Sequence, residues 1–92
     1  MKLISVITVS FNEEQTIERT IKSVLSQKDS FVEYIIVDGY SKDRTMQIVR
    51  KYQNFIDKII CETDTGIYNA MNKGLKNATG QYVAFLNAND WY

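Results

Sequence analysis

Four short runs rich in β-branched and aromatic residues, separated by helix-length connections, leave this chain few folds to adopt. They are Leu3-Ile4-Ser5-Val6-Ile7-Thr8-Val9, Glu33-Tyr34-Ile35-Ile36-Val37, Lys58-Ile59-Ile60-Cys61 and Tyr82-Val83-Ala84-Phe85-Leu86. Such side chains fill a pleated surface well, so each run reads as a buried strand. After the first, Ile17, Ile21, Val24 and Leu25 recur at i, i+4, i+7 and i+8, one apolar stripe of a helix over about residues 13–27. Asn12 with Gln15 has the spacing of a capping box, and Glu13 and Glu14 fall in the first turn, where the helix dipole favours negative charge. Ser41 or Asp43 caps a second helix to about residue 53, with Ile48, Val49 and Tyr52 facing inward. A third helix carries Ile67, Ala70, Met71, Leu75 and Ala78, and Gly80 stops it as a left-handed closing residue. The βαβαβαβ order predicts an α/β three-layer sandwich: a mainly parallel four-stranded sheet, right-handed crossovers, and helices on both faces.

Composition narrows the function. Ninety-two residues make at most one domain. Eleven basic residues balance 11 acidic ones, so no electrostatic footprint for nucleic acid or an anionic membrane stands out. The absence of His removes imidazole ligands, His general bases and the usual catalytic triads. Cys61 is alone, which excludes an intramolecular disulfide and fits a reducing compartment. Ser5, Thr8 and Ser10 interrupt the first apolar run and Asn12-Glu13-Glu14 follows at once, so the amino terminus reads as a strand rather than a secretory signal. No stretch approaches the roughly 20 apolar residues of a membrane span, and a cytoplasmic location is expected.

In open α/β sheets, ligands bind in the crevice outside the carboxyl ends of the strands. Those ends carry Ser10 and Asn12, Asp38, Glu62 and Asp64, and Asn87, Asn89 and Asp90. The same residue types also make caps and turns, so polarity at a rim has a bland reading too. Asp38 follows the second strand, where doubly wound sheets place an acid against a ribose hydroxyl or a base N–H. Asp90 is the best metal ligand; its hard carboxylate suits Mg²⁺ or Mn²⁺, and one Cys without His argues against zinc. An acidic rim repels a bare diphosphate, so an anionic donor calls for a bridging cation. Lys42, Arg44 and Lys73 are either phosphate partners or solvated surface charge. No Gly-x-Gly-x-x-Gly follows the first strand and no Walker Gly-Lys-Ser/Thr is present, which removes the main support for dinucleotide and P-loop readings. A receiver-type module needs an acid pair where Ser10-Phe11-Asn12 stands.

Four segments, in order, resemble the family-2 glycosyltransferases of the GT-A fold. Val6-Ile7-Thr8-Val9-Ser10-Phe11-Asn12 resembles their opening strand. Ile36-Val37-Asp38-Gly39-Tyr40-Ser41-Lys42-Asp43-Arg44-Thr45 is similar to their Asp-Gly-Gly-Ser-Thr-Asp-Gly-Thr segment. Glu62-Thr63-Asp64-Thr65-Gly66-Ile67-Tyr68-Asn69-Ala70-Met71-Asn72-Lys73-Gly74 resembles the subgroup motif Asp-x-Gly-Ile-Tyr-Asp-Ala-Met-Asn-Lys-Gly. Gly80-Gln81-Tyr82 through Leu86-Asn87-Ala88-Asn89-Asp90 resembles their metal-binding run, Leu-Asn-Ala-Asp-Asp.

The resemblance implies a Rossmann-like half of a GT-A domain: residues 1–92 as the nucleotide-sugar donor-binding half, truncated after the metal motif. It implies transfer of a sugar, with inversion, from a nucleotide diphosphate donor (a UDP-sugar foremost) to a glycan or lipid-linked acceptor hydroxyl in cell-surface polysaccharide synthesis. By carry-over, Thr8, Ser10 and Phe11 line the base and ribose site, Asp38 recognises the base, Asp64 lies near the donor, Asn89 meets the ribose or cation, and Asp90 binds Mg²⁺ or Mn²⁺. Tyr40 and Arg44 stand where the family has glycines, and Asn69 where Asp is common. Asn89 in place of Asp removes a negative charge from the cation site and should lower metal affinity. The family's general base is expected beyond residue 92, so no catalytic residue is assigned here and the 92-residue chain is expected to be inactive by itself. The full-length protein would be cytoplasmic or peripheral to the inner face of the membrane. If further chain packs beside the fourth strand, residues 82–86 are an open edge through which this chain would self-associate. A non-catalytic nucleotide-binding module and a purely structural fragment are the alternatives.

Overall fold

The four runs become four parallel strands, β1 (Ile4–Ser10), β2 (Val32–Asp38), β3 (Lys58–Cys61) and β4 (Tyr82–Phe85), in a computed structural model that describes residues 2–88. Spatial order is β3-β2-β1-β4, and every neighbouring pair is parallel. Side chains alternate across a strand, and that alternation divides the core in two. Val6, Tyr34 and Ile36 pack on one face against α1 (Ile17–Leu25) and α2 (Thr45–Lys51) through Ile17, Ile21, Val24 and Val49. Ile7, Ile35 and Val37 pack on the other face against Ala70 of α3 (Ile67–Asn77). With helices on both sides, β1 and β2 are apolar on both faces, which explains why their sequences read as continuous branched runs. The expected α/β three-layer sandwich is present.

The chain lays β1, β2 and β3 side by side in one direction, then crosses to the other face through α3 and sets β4 on the opposite flank of β1. The gap between the carboxyl ends of β1 and β4 is therefore the topological switch point, where open sheets of this class hold their ligands. A polar cluster fixes the start of β4. Buried Glu33 accepts from Ser5 Oγ (2.8 Å), from Thr79 N (2.9 Å) and Oγ1 (3.0 Å), and pairs with Lys58 Nζ at 3.3 Å. Ser5 Oγ in turn accepts from Gly80 N at 2.8 Å. Burial by itself would raise the Glu33 carboxyl, but the Thr79 amide, the two hydroxyls and the Lys58 ammonium outweigh it and hold it at about 2.

Several expectations change. Helix α1 begins at Ile17, not near residue 13, and neither Asn12 nor Gln15 caps it. Asn12 sits at φ 52°, in the left-handed region, and its Oδ1 accepts from Lys42 N instead. The short side chain has bonded the neighbouring loop, so Glu13 O receives the Thr16 and Ile17 amides in a preceding turn. Acidic Glu18, rather than Glu13 or Glu14, falls in the first turn of α1. Helix α2 stops at Lys51, and a 3-10 turn (Gln53–Phe55) carries the chain to β3. Of its two proposed caps, Asp43 accepts from Thr45 N (2.9 Å) and Oγ1 (2.5 Å), while Ser41 turns to Asp38.

Gly80 is not a left-handed helix stop: among the described glycines only Gly66 has a positive φ, and α3 ends at Asn77 with Ala78 extended. Close approach explains Gly80 better. A Cβ there would lie 2.7 Å from Ser5 N and 2.8 Å from the Ile4 carbonyl carbon, both backbone atoms of β1. The fourth run is an edge, not a buried strand. Among the described residues β4 pairs only with β1, and Tyr82, Val83 and Phe85 are exposed. Ile67 and Leu75 on α3 are exposed as well.

Candidate functional site

Two loops at the carboxyl rim lock together before any ligand is considered. Asn12 N donates to Ser41 Oγ (2.8 Å), Glu13 N to Thr45 Oγ1 (2.8 Å) and Glu14 N to Asp43 Oδ2 (3.2 Å). In return, Lys42 N donates to Asn12 Oδ1 at 2.8 Å and Gly39 N to Ser10 O at 2.9 Å. Burial would raise the Asp43 carboxyl, but the Thr45 hydroxyl and amide and the Glu14 amide hold it below the usual range. These five bonds, three of them from amides of one loop to side chains of the other, make the rim a fixed frame. Tyr40, at φ 69°, takes a left-handed conformation that a glycine would adopt without strain. Its ring is exposed and carries Lys42 Nζ 4.4 Å from the centroid.

Beside this frame, at the β1–β4 switch point and on the α3 face, lies a cavity of about 310 Å³. Val9, Ser10 and Phe11 form its β1 side, Asp64, Gly66, Ile67 and Ala70 its α3 side, Asn87 and Ala88 its β4 side, and Glu13 part of its mouth. The β1–β4 ladder continues past Phe85 through Leu86 N to Ile7 O (2.9 Å) and Ala88 N to Val9 O (3.1 Å). Thr20 Oγ1 of α1 donates to Ala88 O at 2.7 Å and anchors this end. Leu86 and Ala88 face the α1–α2 core, so alternation turns Asn87 toward the cavity. Asn87 Oδ1 is buried and has no hydrogen-bond partner among the described residues. A buried acceptor in that condition costs roughly 1–3 kcal/mol unless a donor or cation reaches it.

Of the residues singled out from sequence, Ser10, Phe11 and Asp64 meet at this cavity. Thr8 and Asp38 do not line it. Both are fully buried, with their side-chain oxygens committed to protein partners. Thr8 Oγ1 is hydrogen-bonded to Tyr34 Oη at 2.8 Å. Asp38 Oδ1 accepts from Ser10 Oγ (2.7 Å) and Ser41 Oγ (2.6 Å), and Oδ2 from Ser41 N (2.7 Å). Cys61 Sγ lies 3.8 Å from the same Oδ2, and burial, then the neighbouring carboxylate, push its thiol up. Asp38 thus ties three strand ends and a loop together: Ser10, Asp38 and Cys61 share one register across the sheet. Asn89 and Asp90 lie outside the described residues, and the described residues include no group of three or more acidic, Cys or His side chains able to hold a metal.

Asn87, named from sequence among the polar strand ends but given no role, lines the cavity; Glu13 lines it and Gly39 borders Asp64 and Phe11 without having been singled out as binding residues. Asn87 had a signal, as an odd-numbered partner of Val9 in the α3-facing set. Gly39 had a weaker one, a glycine directly after a strand-terminal acid. A Cβ on it would lie 3.0 Å from Asp64 Oδ2 and 3.2 Å from Phe11 Cδ1, so its bareness lets the ring and the carboxylate close in. Asn69, where the resemblance leads one to expect Asp, accepts from Thr65 N at 3.2 Å and steadies the loop that carries Asp64.

Comparison with known proteins agrees with this geometry. The sequence model described as glycosyl transferase family 2 matches residues 5–92. Among curated relatives, Bacillus subtilis (strain 168) TuaG, a glycosyltransferase whose name assigns it to teichuronic acid biosynthesis, is 43% identical over 91 residues, 96% of this chain and 36% of TuaG. Among solved structures, Staphylococcus aureus TarS 1-349 in complex with UDP-GlcNAc superposes with a TM-score of 0.85 at 32% identity, covering 99% of this chain and 27% of that one. The mannosyltransferase PcManGT from Pyrobaculum calidifontis, in complex with GDP-Man and Mn²⁺, superposes with a TM-score of 0.86 at 26% identity, covering 97% of this chain and 28% of that one. The chain therefore spans about a third of the length of the curated relatives it matches.

Proposed function

This chain belongs to glycosyl transferase family 2, and from that membership we propose that it is the donor-binding part of an inverting enzyme of cell-surface polysaccharide synthesis. The donor is a nucleoside diphosphate sugar, a UDP-sugar first, and the acceptor a hydroxyl of a glycan or a lipid-linked precursor. One observation carries the reading: the switch-point cavity gathers an aromatic ring (Phe11), a carboxylate (Asp64) and a buried acceptor without a partner (Asn87 Oδ1). The TarS complex with UDP-GlcNAc and the TuaG name support the donor class and the cell-surface product.

In this reading the base stacks on Phe11, the ribose lies along Ser10 toward Asn87, and the diphosphate runs on toward Asn89 and Asp90. Asn89 and Asp90 carry hard oxygens, and Asn87, whose Oδ1 is orphaned, precedes them in the chain, a donor set that suits Mg²⁺ or Mn²⁺. Asp90, helped by Asn89, would hold that cation, whose chemistry is Lewis-acid neutralisation of charge on the leaving diphosphate. The protein's own part is positioning: the interlocked 10–14 and 38–45 loops hold Phe11 in place, and the β1–β4 ladder brings Asn87 to the diphosphate end. No residue up to Tyr92 is assigned as the general base, so the 92-residue chain binds donor without transferring sugar. The full-length protein works in the cytoplasm, peripheral to the inner face of the membrane. No helix among the described residues is long and apolar enough to cross one. The open edge of β4 pairs with a second copy when nothing else covers it.

Titration with UDP, with and without Mn²⁺, tests this. Metal-enhanced binding that Asp90→Ala reduces about tenfold or more is the expected result. Binding that ignores Mn²⁺ would remove the cation from the scheme, and sugar transfer by the 92-residue chain would overturn the assignment of the base beyond it.

A further inference from the structure

The buried stripe of α1 runs Ile17, Thr20, Ile21 and Val24, and one of these four is polar. Thr is a poorer helix former than the straight-chain residues, and a hydroxyl on a buried face costs stability unless it is hydrogen-bonded. The Thr20 hydroxyl has one proton to give. Ala88 O, at 2.7 Å, is much nearer than Thr16 O, at 3.4 Å, and takes it. Ala88 is thereby held at three points: its N–H on Val9 O (3.1 Å), its methyl group in the core beneath α1, and its carbonyl on α1 itself. Thr20 does not line the cavity. What it grips is the residue between Asn87, which does, and Asn89 and Asp90, which follow in the chain. The same end of α1 is tied to the other side of the cavity. Thr20 N donates to Thr16 O (3.2 Å), Thr16 Oγ1 donates to Glu13 Oε2 (3.3 Å), and Glu13 lines the mouth.

Among the described residues β4 has a strand neighbour on one side only, so the position of its carboxyl end depends on β1 and on α1. Groups that orient ligating side chains matter almost as much as the ligands, because a ligand held loosely gives up part of its affinity to ordering. Resting on the donor-binding reading above, we propose that Thr20 is a positioning residue for the diphosphate and its cation: its hydroxyl fixes the end of β4, and with it the Asn87 carboxamide and the point from which the chain runs on to Asn89 and Asp90. Val would fill the same space on the stripe and satisfy the core equally well. It would leave the Ala88 carbonyl without its donor and the end of β4 to β1 alone. The one hydroxyl on an otherwise apolar helix face is accounted for in this way.

The test is calorimetric titration of this chain with UDP, once in Mn²⁺ and once in EDTA, well below the melting temperature of each variant. The ratio of the two affinities reads the cation end of the site, and the affinity in EDTA reads the rest of it. A general loss of stability moves neither. In Thr20→Val the enhancement by Mn²⁺ should fall about tenfold or vanish, the scale of losing a group that orients metal ligands, while the affinity in EDTA stays at the parent's value. Thr20→Ser, which keeps the hydroxyl, should retain the parent's enhancement. Thr20→Ala should behave as Thr20→Val, and it carries the test if the valine variant does not fold. Undiminished enhancement in a folded variant without the hydroxyl overturns the proposal. An equal loss in Thr20→Ser also overturns it, since the effect would then belong to the packing of the methyl group. A parent that binds UDP equally well with and without Mn²⁺ overturns it too, and leaves nucleotide binding in place. Failure of the parent to bind UDP in either condition overturns the donor-binding reading and this proposal with it.

Discussion

Replacing Glu33 by Gln should show how firmly β4, and with it the Asn87 side of the cavity, is fastened to the sheet. The carboxylate takes donors from Ser5, from the Thr79 amide and hydroxyl, and from Lys58, and is almost completely buried. Its folded value of about 2 against an ordinary 4.5 corresponds, at about 1.4 kcal/mol per pH unit, to about 3 kcal/mol of stability. The sign follows from the direction. Because the folded value is depressed, this contribution is complete above about pH 4.5 and is lost as the pH falls from there toward about 2. Gln keeps the shape but puts an NH₂ against at least one donor and leaves Lys58 without its anion. Urea unfolding of Glu33→Gln at pH 7 should therefore show a loss of about 3 kcal/mol, a drop in Tm of roughly 10 °C or more for a domain of this size. As the pH is lowered from 7 to 3, the parent should converge on the variant. Parallel pH profiles, or a loss below about 0.5 kcal/mol at pH 7, would refute the network as the fastening of β4.

Other substitutions probe separate parts of the fold. Gly80→Ala drives a Cβ into the β1 backbone at 2.7 Å and should cost about 2 kcal/mol or more, read by thermal melting. Tyr40→Gly relieves a left-handed conformation at φ 69° at an exposed position, and the same melt should show a Tm equal to or above the parent's. Thr8→Val removes the buried hydrogen bond to Tyr34, so urea unfolding should show about 1 kcal/mol lost while UDP affinity is unchanged. A fall in UDP affinity instead would put Thr8 back among the nucleotide contacts. Asn87→Leu should weaken UDP binding by about tenfold in calorimetry without lowering Tm, because it removes an acceptor that has no protein partner.

Strand and helix positions were legible in the chain because apolar periodicity is a local property. The runs at 58–61 and 82–86 fall within a residue of β3 and β4, and the stripe Ile17, Ile21, Val24 marks the buried face of α1. Local signals misled where a side chain found a distant partner. Asn12 has the identity and spacing of a helix cap, but Lys42, on another loop, offers its amide to the same oxygen. Gly80 has the identity of a helix stop, but the backbone of β1 leaves no room for any other residue. Tyr82, Val83 and Phe85 have strand composition, and only the sheet order makes them an edge.

For the site, the sequence by itself determined that oxygen-bearing side chains would collect along one rim of a parallel sheet, since each strand of the alternation ends in them. Tertiary structure alone decided which of those oxygens remain available. Asp38 closes β2 and Asp64 lies in the loop after β3, but one is buried among hydroxyl and amide donors and the other lines the cavity under α3. Packing around each carboxylate supplies or withholds the donors, so a group's freedom to bind a ligand is set by contacts that no stretch of sequence contains.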